Sequence, residues 1–280
     1  MSSVLDEEKT WSQRDFGLDA RLVKALSKLG YIYPTLVQAK CIPIVLQGKD
    51  ALVRARTGSG KTIAFALPLL HKLLLEKSGG GDDAEERRIR SLILAPTKEL
   101  CKQIEKHMVQ IMYFCKDVIS ICSLSDDNMS VQTYRLKNKP DIVVATPAKV
   151  VQHIVKGNID LSYAKMLIID EADLILSFGY TEDVQLITSQ MPVHQGLLMS
   201  ATLSPDLDKF KRILLRCPAI LKLEEEEKQA GHLLQFYLQS TERDKFLILF
   251  VFLKLGLLQV TTVFIIFLSV SCQILHAMTK

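Results

Sequence analysis

From Asp15 to Leu223 the chain alternates short, unbroken apolar runs with longer stretches in which apolar and polar residues mix. The runs are DALVRA (50–55), SLILAP (91–96), VISICS (118–123), DIVVAT (141–146), MLIID (166–170), GLLMSAT (196–202) and AILKL (219–223). A strand with one wet face would alternate apolar and polar residues. Continuous Val, Ile and Leu instead predict strands covered on both faces, and the segments between them are long enough to be the covering helices. The pattern predicts an α/β fold, a doubly wound and mainly parallel sheet, over residues 15–223, preceded by an N-terminal tail at 1–14.

Two stretches interrupt the alternation. EKSGGGDDAEERR (76–88) has a glycine cluster followed by mixed charge and reads as a solvated loop between a helix and the next strand. EEEEKQAG (224–231) opens an acidic linker assigned to 224–243, which marks a domain boundary. Beyond it, KFLILFVFLKLGLLQVTTVFIIFLSV (245–270) is the most apolar run in the chain. Its length would allow a membrane span, and Lys254 near the centre costs only about 2.5–3.5 kcal/mol. Against that reading, Gly256 followed by Thr261, Thr262, Val263, Ile265 and Ile266 favours a helix-to-strand junction, so the run is expected to belong to a soluble core.

Composition narrows the class without naming a function. Of the 280 residues, 48% are hydrophobic, enough for a packed core, and 35 Lys+Arg against 31 Asp+Glu permit nucleic-acid contact without demanding it. The six cysteines form no C-x-x-C pair and the N-terminus is acidic and polar, which fits a reducing compartment and no secretory signal. His71, His107 and His153 lack metal-ligand spacing and read as surface or packing residues.

The chemistry is concentrated in two segments. ARTGSGKT (55–62) follows one apolar run and opens a helical stretch, the strand-loop-helix setting of a phosphate cradle. Gly58 and Gly60 let backbone N–H groups converge on a phosphate chain, Lys61 adds charge at the helix N-terminus, and Thr62 would hold Mg²⁺. The general P-loop begins with Gly, where this chain has Ala55. LIIDEADLIL (167–176) sets Asp170 and Glu171 at the end of an apolar run, where strand ends face the same sheet edge as the cradle. Asp170 would hold Mg²⁺ through water, and Glu171 would orient an attacking water.

These residues resemble the DEAD-box family of ATP-dependent RNA helicases, whose name is the tetrapeptide Asp170-Glu171-Ala172-Asp173 and whose loop begins, as here, with Ala. The resemblance continues in family order: GYIYPTLVQ (30–38) is similar to the Q motif, PTKEL (96–100) to P-T-R-E-L-A, TPAKV (146–150) to T-P-G-R, and SAT (200–202) to motif III. It implies a RecA-like P-loop NTPase domain with ATP and Mg²⁺ as ligands, held by Thr35, Gln38, Ala55, Arg56, Thr57, Gly58, Ser59, Gly60, Lys61 and Thr62. Gln38 would read adenine with Thr35 in support. The stacking aromatic upstream is left open, since Gln13 stands near its slot beside Trp11 and Phe16. Asp170, Glu171 and Lys61 would act on the phosphates. Ser200 and Thr202 would bond the DEAD segment through Asp173 and relay nucleotide state.

Pro96, Thr97, Lys98, Glu99, Thr146, Pro147 and Lys149 would contact single-stranded RNA. Lys98 and Lys149 stand where the family has arginine, which keeps charge but loses the bidentate fork. SLSDDNMSVQ (123–132) lacks the family's Gly-Gly pair. DLILSFGY (173–180) and LLMSATLSPDLDKFKRILLRCP (197–218) look most like a nucleolar subgroup acting in large ribosomal subunit assembly, which implies pre-ribosomal RNA, the nucleus and nucleolus, no membrane and no obligate oligomer.

Family members carry a second RecA-like domain with an H-R-x-G-R-x-G-R motif, which this sequence does not contain. Residues 244–258 resemble the helix that begins the second domain and 261–267 its first strand, whereas LSVSCQILHAMTK (268–280) matches nothing in the family. The expectation is a truncated start of the second domain at 244–280 with an aberrant tail. Two functions follow: an RNA helicase and ATPase, or a catalytically silent fragment that binds ATP and RNA.

Overall fold

The computed structural model describes residues 10, 11, 16–79, 87–202, 205–223, 235–237, 241, 244–255, 265–266 and 274–276. The chain divides into two compact units, Met1–Glu224 and Glu225–Lys280.

The first unit is an α/β domain. Two helices, α1 (Ala20–Lys28) and α2 (Leu36–Leu46), precede β1 (Ala51–Arg54) and α3 (Lys61–Ser78). Then come β2 (Ser91–Leu94), α4 (Lys98–Ile111), β3 (Ile121–Ser123), α5 (Met129–Lys137), β4 (Ile142–Ala145) and α6 (Pro147–Val155). They are followed by β5 (Met166–Ile169), α7 (Ala172–Ser177), α8 (Thr181–Ser189), β6 (Gln195–Ser200), α9 (Pro205–Leu214) and β7 (Ala219–Lys222). Each of the seven apolar runs contains one strand. The sheet order is β3-β4-β2-β5-β6-β1-β7, with every pairing parallel.

Burial explains the runs. Val53, Ile93, Val144, Ile168, Leu197 and Met199 point into one apolar cluster, with α1 to α4. Their neighbours Leu52, Leu92, Val143, Leu167, Ile169 and Leu198 point into a second, with α5 to α9. Successive strand residues face opposite sides, so a sheet covered twice is apolar at successive positions and leaves its polar residues, such as Arg54, Ser91 and Ser200, to the strand ends. Trp11, expected in the tail, is 5% exposed and belongs to the first cluster.

The loop expected from Glu76 begins later, because α3 runs through Ser78. The charges that suggested solvent are paired: Lys77 Nζ lies 2.7 Å from Asp141 Oδ1, and Arg90 lies 2.6 Å from Glu76 Oε1. Residues 80–86 of that stretch lie outside the described residues.

The second unit contains β8 (Gln235–Tyr237), α10 (Lys245–Lys254), β9 (Ile265–Ile266) and β10 (Ile274–His276), with the strands ordered β8-β10-β9 and antiparallel. The expected linker 224–243 thus contains a strand, because Gln235, Phe236 and Tyr237 find a partner in His276, Leu275 and Ile274. The expected helix at 244–258 is described to Lys254 and the expected strand 261–267 at Ile265–Ile266, while 256–264 lie outside the described residues. Among the described residues no helix is long and apolar enough to cross a membrane.

Candidate functional site

The phosphate cradle lies between β1 and α3. Gly58 and Gly60 adopt left-handed backbone, with φ of 78° and 92°, a conformation that costs glycine little, and the Ser59 N–H between them donates to the Arg56 carbonyl at 3.3 Å. Lys61, the first residue of α3, is buried, and its Nζ donates to the carbonyls of Ala55 at 2.5 Å and Arg56 at 3.1 Å. Burial lowers its pKa, opposed by the nearby Asp170, Asp173 and Glu171. Ser59 Oγ is buried with no hydrogen-bond partner among the described residues. Arg56, Thr57 and Gly58 are exposed, and Thr62 is half-buried.

The segment before α2 closes over this loop. Thr35 caps the helix: its Oγ1 accepts from Gln38 N at 3.4 Å, while its own N–H donates to Gln38 Oε1 at 2.7 Å. Gln38 Nε2 donates to the Gly60 carbonyl at 3.2 Å. The amide therefore keeps one N–H and one lone pair for a ligand, a donor and acceptor pair matching the N7 and N6 edge of adenine.

A cleft of about 570 Å³ joins Gln38, Gly60, Lys61, Thr62, Asp170 and Glu171. Its wall also includes Tyr31 and Tyr33, both exposed, which lie within GYIYPTLVQ and which nothing in the sequence singles out. Trp11, one candidate for stacking on a base, is instead a core residue 5.7 Å from Phe16, which packs on the same cluster. Gln13 lies outside the described residues.

Asp170 follows β5, with its N–H donating to the Leu94 carbonyl at 2.9 Å. Its carboxylate accepts from Glu171 N at 3.0 Å, and burial pushes its pKa up to about 6, with Lys61 pulling the other way. Glu171 is the N-cap of α7 and adopts left-handed backbone at φ 50°, ψ 51°, strained for a side chain with a Cβ. Its pKa is also raised, chiefly by burial. Thr202 Oγ1 donates to Asp173 Oδ2 at 2.9 Å. Ser200, expected to reach the same carboxylate, does not: its Oγ donates to the Thr202 carbonyl at 2.8 Å and accepts from Thr202 N at 3.2 Å. Ser200 ends β6 with no exposed surface, so its hydroxyl turns the chain and leaves the contact to Thr202.

The residues expected to contact RNA lie at the carboxyl ends of β2 and β4, which are neighbours in the sheet. Thr97 caps α4, its Oγ1 accepting from Leu100 N at 3.2 Å. Pro96 is buried, Glu99 is exposed, and Lys98 is ion-paired with Asp127, which raises its pKa. Thr146 and Pro147 begin α6 and are buried, while Lys149 Nζ donates to Gln152 Oε1 at 3.1 Å. With α5 following the edge strand β3, three helix N-termini meet one edge of the adjacent strands β3-β4-β2. Such ends present unpaired N–H groups suited to phosphate.

The donor set fits a magnesium nucleotide. The left-handed glycines, the orphaned Ser59 hydroxyl, the buried Lys61 ammonium and the half-buried Thr62 suit a phosphate chain. Asp170 and Thr62 are hard oxygen donors of the kind Mg²⁺ takes.

A family model described as DEAD/DEAH box helicase matches residues 35–210. A probable ATP-dependent RNA helicase ddx56 from Dictyostelium discoideum is 41% identical over 261 residues, covering 92% of this chain and 37% of the relative. An ATP-dependent RNA helicase DBP9 from Candida albicans is 42% identical over 269 residues, covering 94% and 45%. The dbp9 protein of Schizosaccharomyces pombe is 41% identical over 254 residues, covering 90% and 42%. The chain spans less than half the length of these relatives. Among solved structures, a hypothetical ATP-dependent RNA helicase from Sulfolobus tokodaii matches with a TM-score of 0.64 and 32% identity, covering 73% of this chain and 57% of that one.

Proposed function

Because the chain belongs to the DEAD/DEAH box helicase family, we propose that its first unit binds adenine nucleotide with Mg²⁺ and the backbone of single-stranded RNA, as part of an ATP-dependent RNA helicase. The observation that carries the reading is the single cleft shared by Gln38, the glycine loop, Lys61 and Asp170. Gln38 offers its remaining N–H and lone pair to the base. The backbone N–H groups of 58–62 take the phosphates, and Lys61 exchanges its two loop carbonyls for phosphate oxygens of greater charge.

Thr62 and Asp170 would hold Mg²⁺, which neutralises phosphate charge when bound. Glu171, at the start of α7 and on the wall of the same cleft, would orient a water for attack on the terminal phosphate. Thr202, bonded to Asp173, ties the end of β6 to the same helix, so a shift on the nucleotide side is felt at the next strand end.

The name ATP-dependent RNA helicase is carried by relatives more than twice as long, and for this chain nucleotide and RNA binding are the activities we propose first. Pre-ribosomal RNA and a nucleolar location rest on the likeness of 173–180 and 197–218 to that subgroup. The test is thermal melting of the purified chain with ATP or ADP and Mg²⁺: a ligand that binds the folded state must raise the melting temperature. A saturating adenine nucleotide that leaves it unmoved refutes the pocket. An ATPase assay with and without RNA then separates an active enzyme from a binding fragment.

A further inference from the structure

His153 in α6 and Gln132 in α5 have no exposed surface, yet both are polar. His153 Nε2 lies 2.7 Å from Gln132 Oε1, and its Nδ1 lies 3.3 Å from Asn158 Nδ2. An amide oxygen can only accept and an amide nitrogen only donate, so the contacts select the neutral imidazole with its hydrogen on Nε2. With Oε1 held by His153, Gln132 turns its NH₂ toward the chain, donating to the carbonyls of Leu124, at 3.4 Å, and Asp126. Asn158 Nδ2 also lies 3.3 Å from Thr133 Oγ1. The network therefore runs from α6, through His153 and Gln132, to the loop 124–128.

That loop leads into one of the three helix N-termini. Asn128 caps α5, its Oδ1 accepting from Ser130 N at 2.9 Å, and Asp127 pairs with Lys98 of α4. Residues 123–132 contain no glycine. The loop takes its shape from the Gln132 amide rather than from left-handed backbone. A buried His-Gln pair costs desolvation that an apolar pair of equal volume would avoid, and its return is a fixed orientation.

We propose that the buried His153–Gln132 pair is a positioning device for RNA, holding loop 124–128 and the N-terminus of α5 in register with those of α4 and α6 so that the three grip one phosphate backbone. The inference rests on the RNA-binding reading above. His153 acts through Gln132 and touches no RNA itself.

The test uses the full chain, a fluorescein-labelled oligouridylate with a non-hydrolysable ATP analogue and Mg²⁺, and anisotropy at fixed salt. Gln132→Met and His153→Leu keep the volume and remove the hydrogen bonds. Each weakens RNA binding about 3- to 10-fold. The double variant is no weaker than the worse single one, because both break the same chain of contacts. The ADP-induced melting shift stays as in the wild type, which a general loss of structure would not allow.

Variants that melt with ADP like the wild type and bind RNA equally well overturn the proposal. Should either variant lose the ADP shift, amide hydrogen exchange on the wild type decides: residues 127–130 gain protection with the oligouridylate, alongside 97–100 and 146–150. No change at 127–130 overturns the proposal. A wild-type chain that binds no RNA sinks the RNA reading and this inference together, whereas equal binding by wild type and variants sinks this inference alone.

Discussion

Gln38 Nε2 sits 3.2 Å from the carbonyl of Gly60, and a Cβ added at Gly60 would fall 2.4 Å from that same nitrogen. The residue expected to read the base is thus packed onto the loop expected to hold the phosphates. Gly60→Ala meets two obstacles, since φ is 92° there and the Gln38 amide must move. We expect a loss of about 1–3 kcal/mol in denaturant unfolding, together with a weakened adenine nucleotide shift. Wild-type stability in this variant would show that the close approach is absent in solution.

Lys61→Ala removes a charge-assisted donor from the cradle and should weaken ADP binding by about 1.5–3 kcal/mol, roughly ten- to a hundredfold. Isothermal titration calorimetry with Mg²⁺ present reads this directly. An unchanged affinity would mean that the ammonium stays with the Ala55 and Arg56 carbonyls.

Asp170 makes the nucleotide-free fold sensitive to pH. Its pKa is raised to about 6, chiefly by burial, against about 3.9 unfolded. Between those values the folded state holds the extra proton, so its contribution is fully present below about pH 4, is lost as pH rises through about 6, and is level above. Asp170→Asn keeps an acceptor for Glu171 N and removes the ionisation. In nucleotide-free, metal-free buffer the variant should be more stable than wild type at pH 7.5, by up to about 3 kcal/mol, with the gap closing toward pH 4. A gap that is constant with pH, or of opposite sign, contradicts the assignment.

Removing residues 224–280 should leave the nucleotide shift intact, because all seven parallel strands and the whole cleft lie before Glu224. Phe246, Leu247 and Phe250 of α10 are more than half exposed. Their loss should also reduce aggregation, measurable by light scattering. A shortened chain that no longer responds to ADP would place part of the site after residue 223.

The inner strands were readable because burial on both faces leaves an unbroken apolar signature, and the edge strand β7, half-exposed along its length, kept the run AILKL even so. Helix ends were less so: Glu76 and Lys77 resemble a solvated loop until Arg90 and Asp141, distant in sequence, supply their counter-charges. The cradle and the DEAD segment were legible because their chemistry needs particular residues at fixed spacing. Ser200 and Thr202 were not distinguishable in that way, since two hydroxyls two residues apart at a strand end look alike until the backbone turns one inward. His153 read as a surface or packing residue, and it is buried. Nothing near it in sequence announces Gln132, because their pairing spans 21 positions and depends on α5 lying beside α6.

Glu171 occupies φ 50°, a backbone region where glycine would sit at ease and a glutamate does not. Folding and the water-orienting role proposed for Glu171 therefore make opposite demands on a single codon. A screen that rewards only expression or heat resistance would be drawn to Glu171→Gly, trading away the carboxylate for a relaxed turn. Libraries made from this domain would need to hold position 171 fixed, because selection for robustness alone would favour the relaxed turn over the carboxylate.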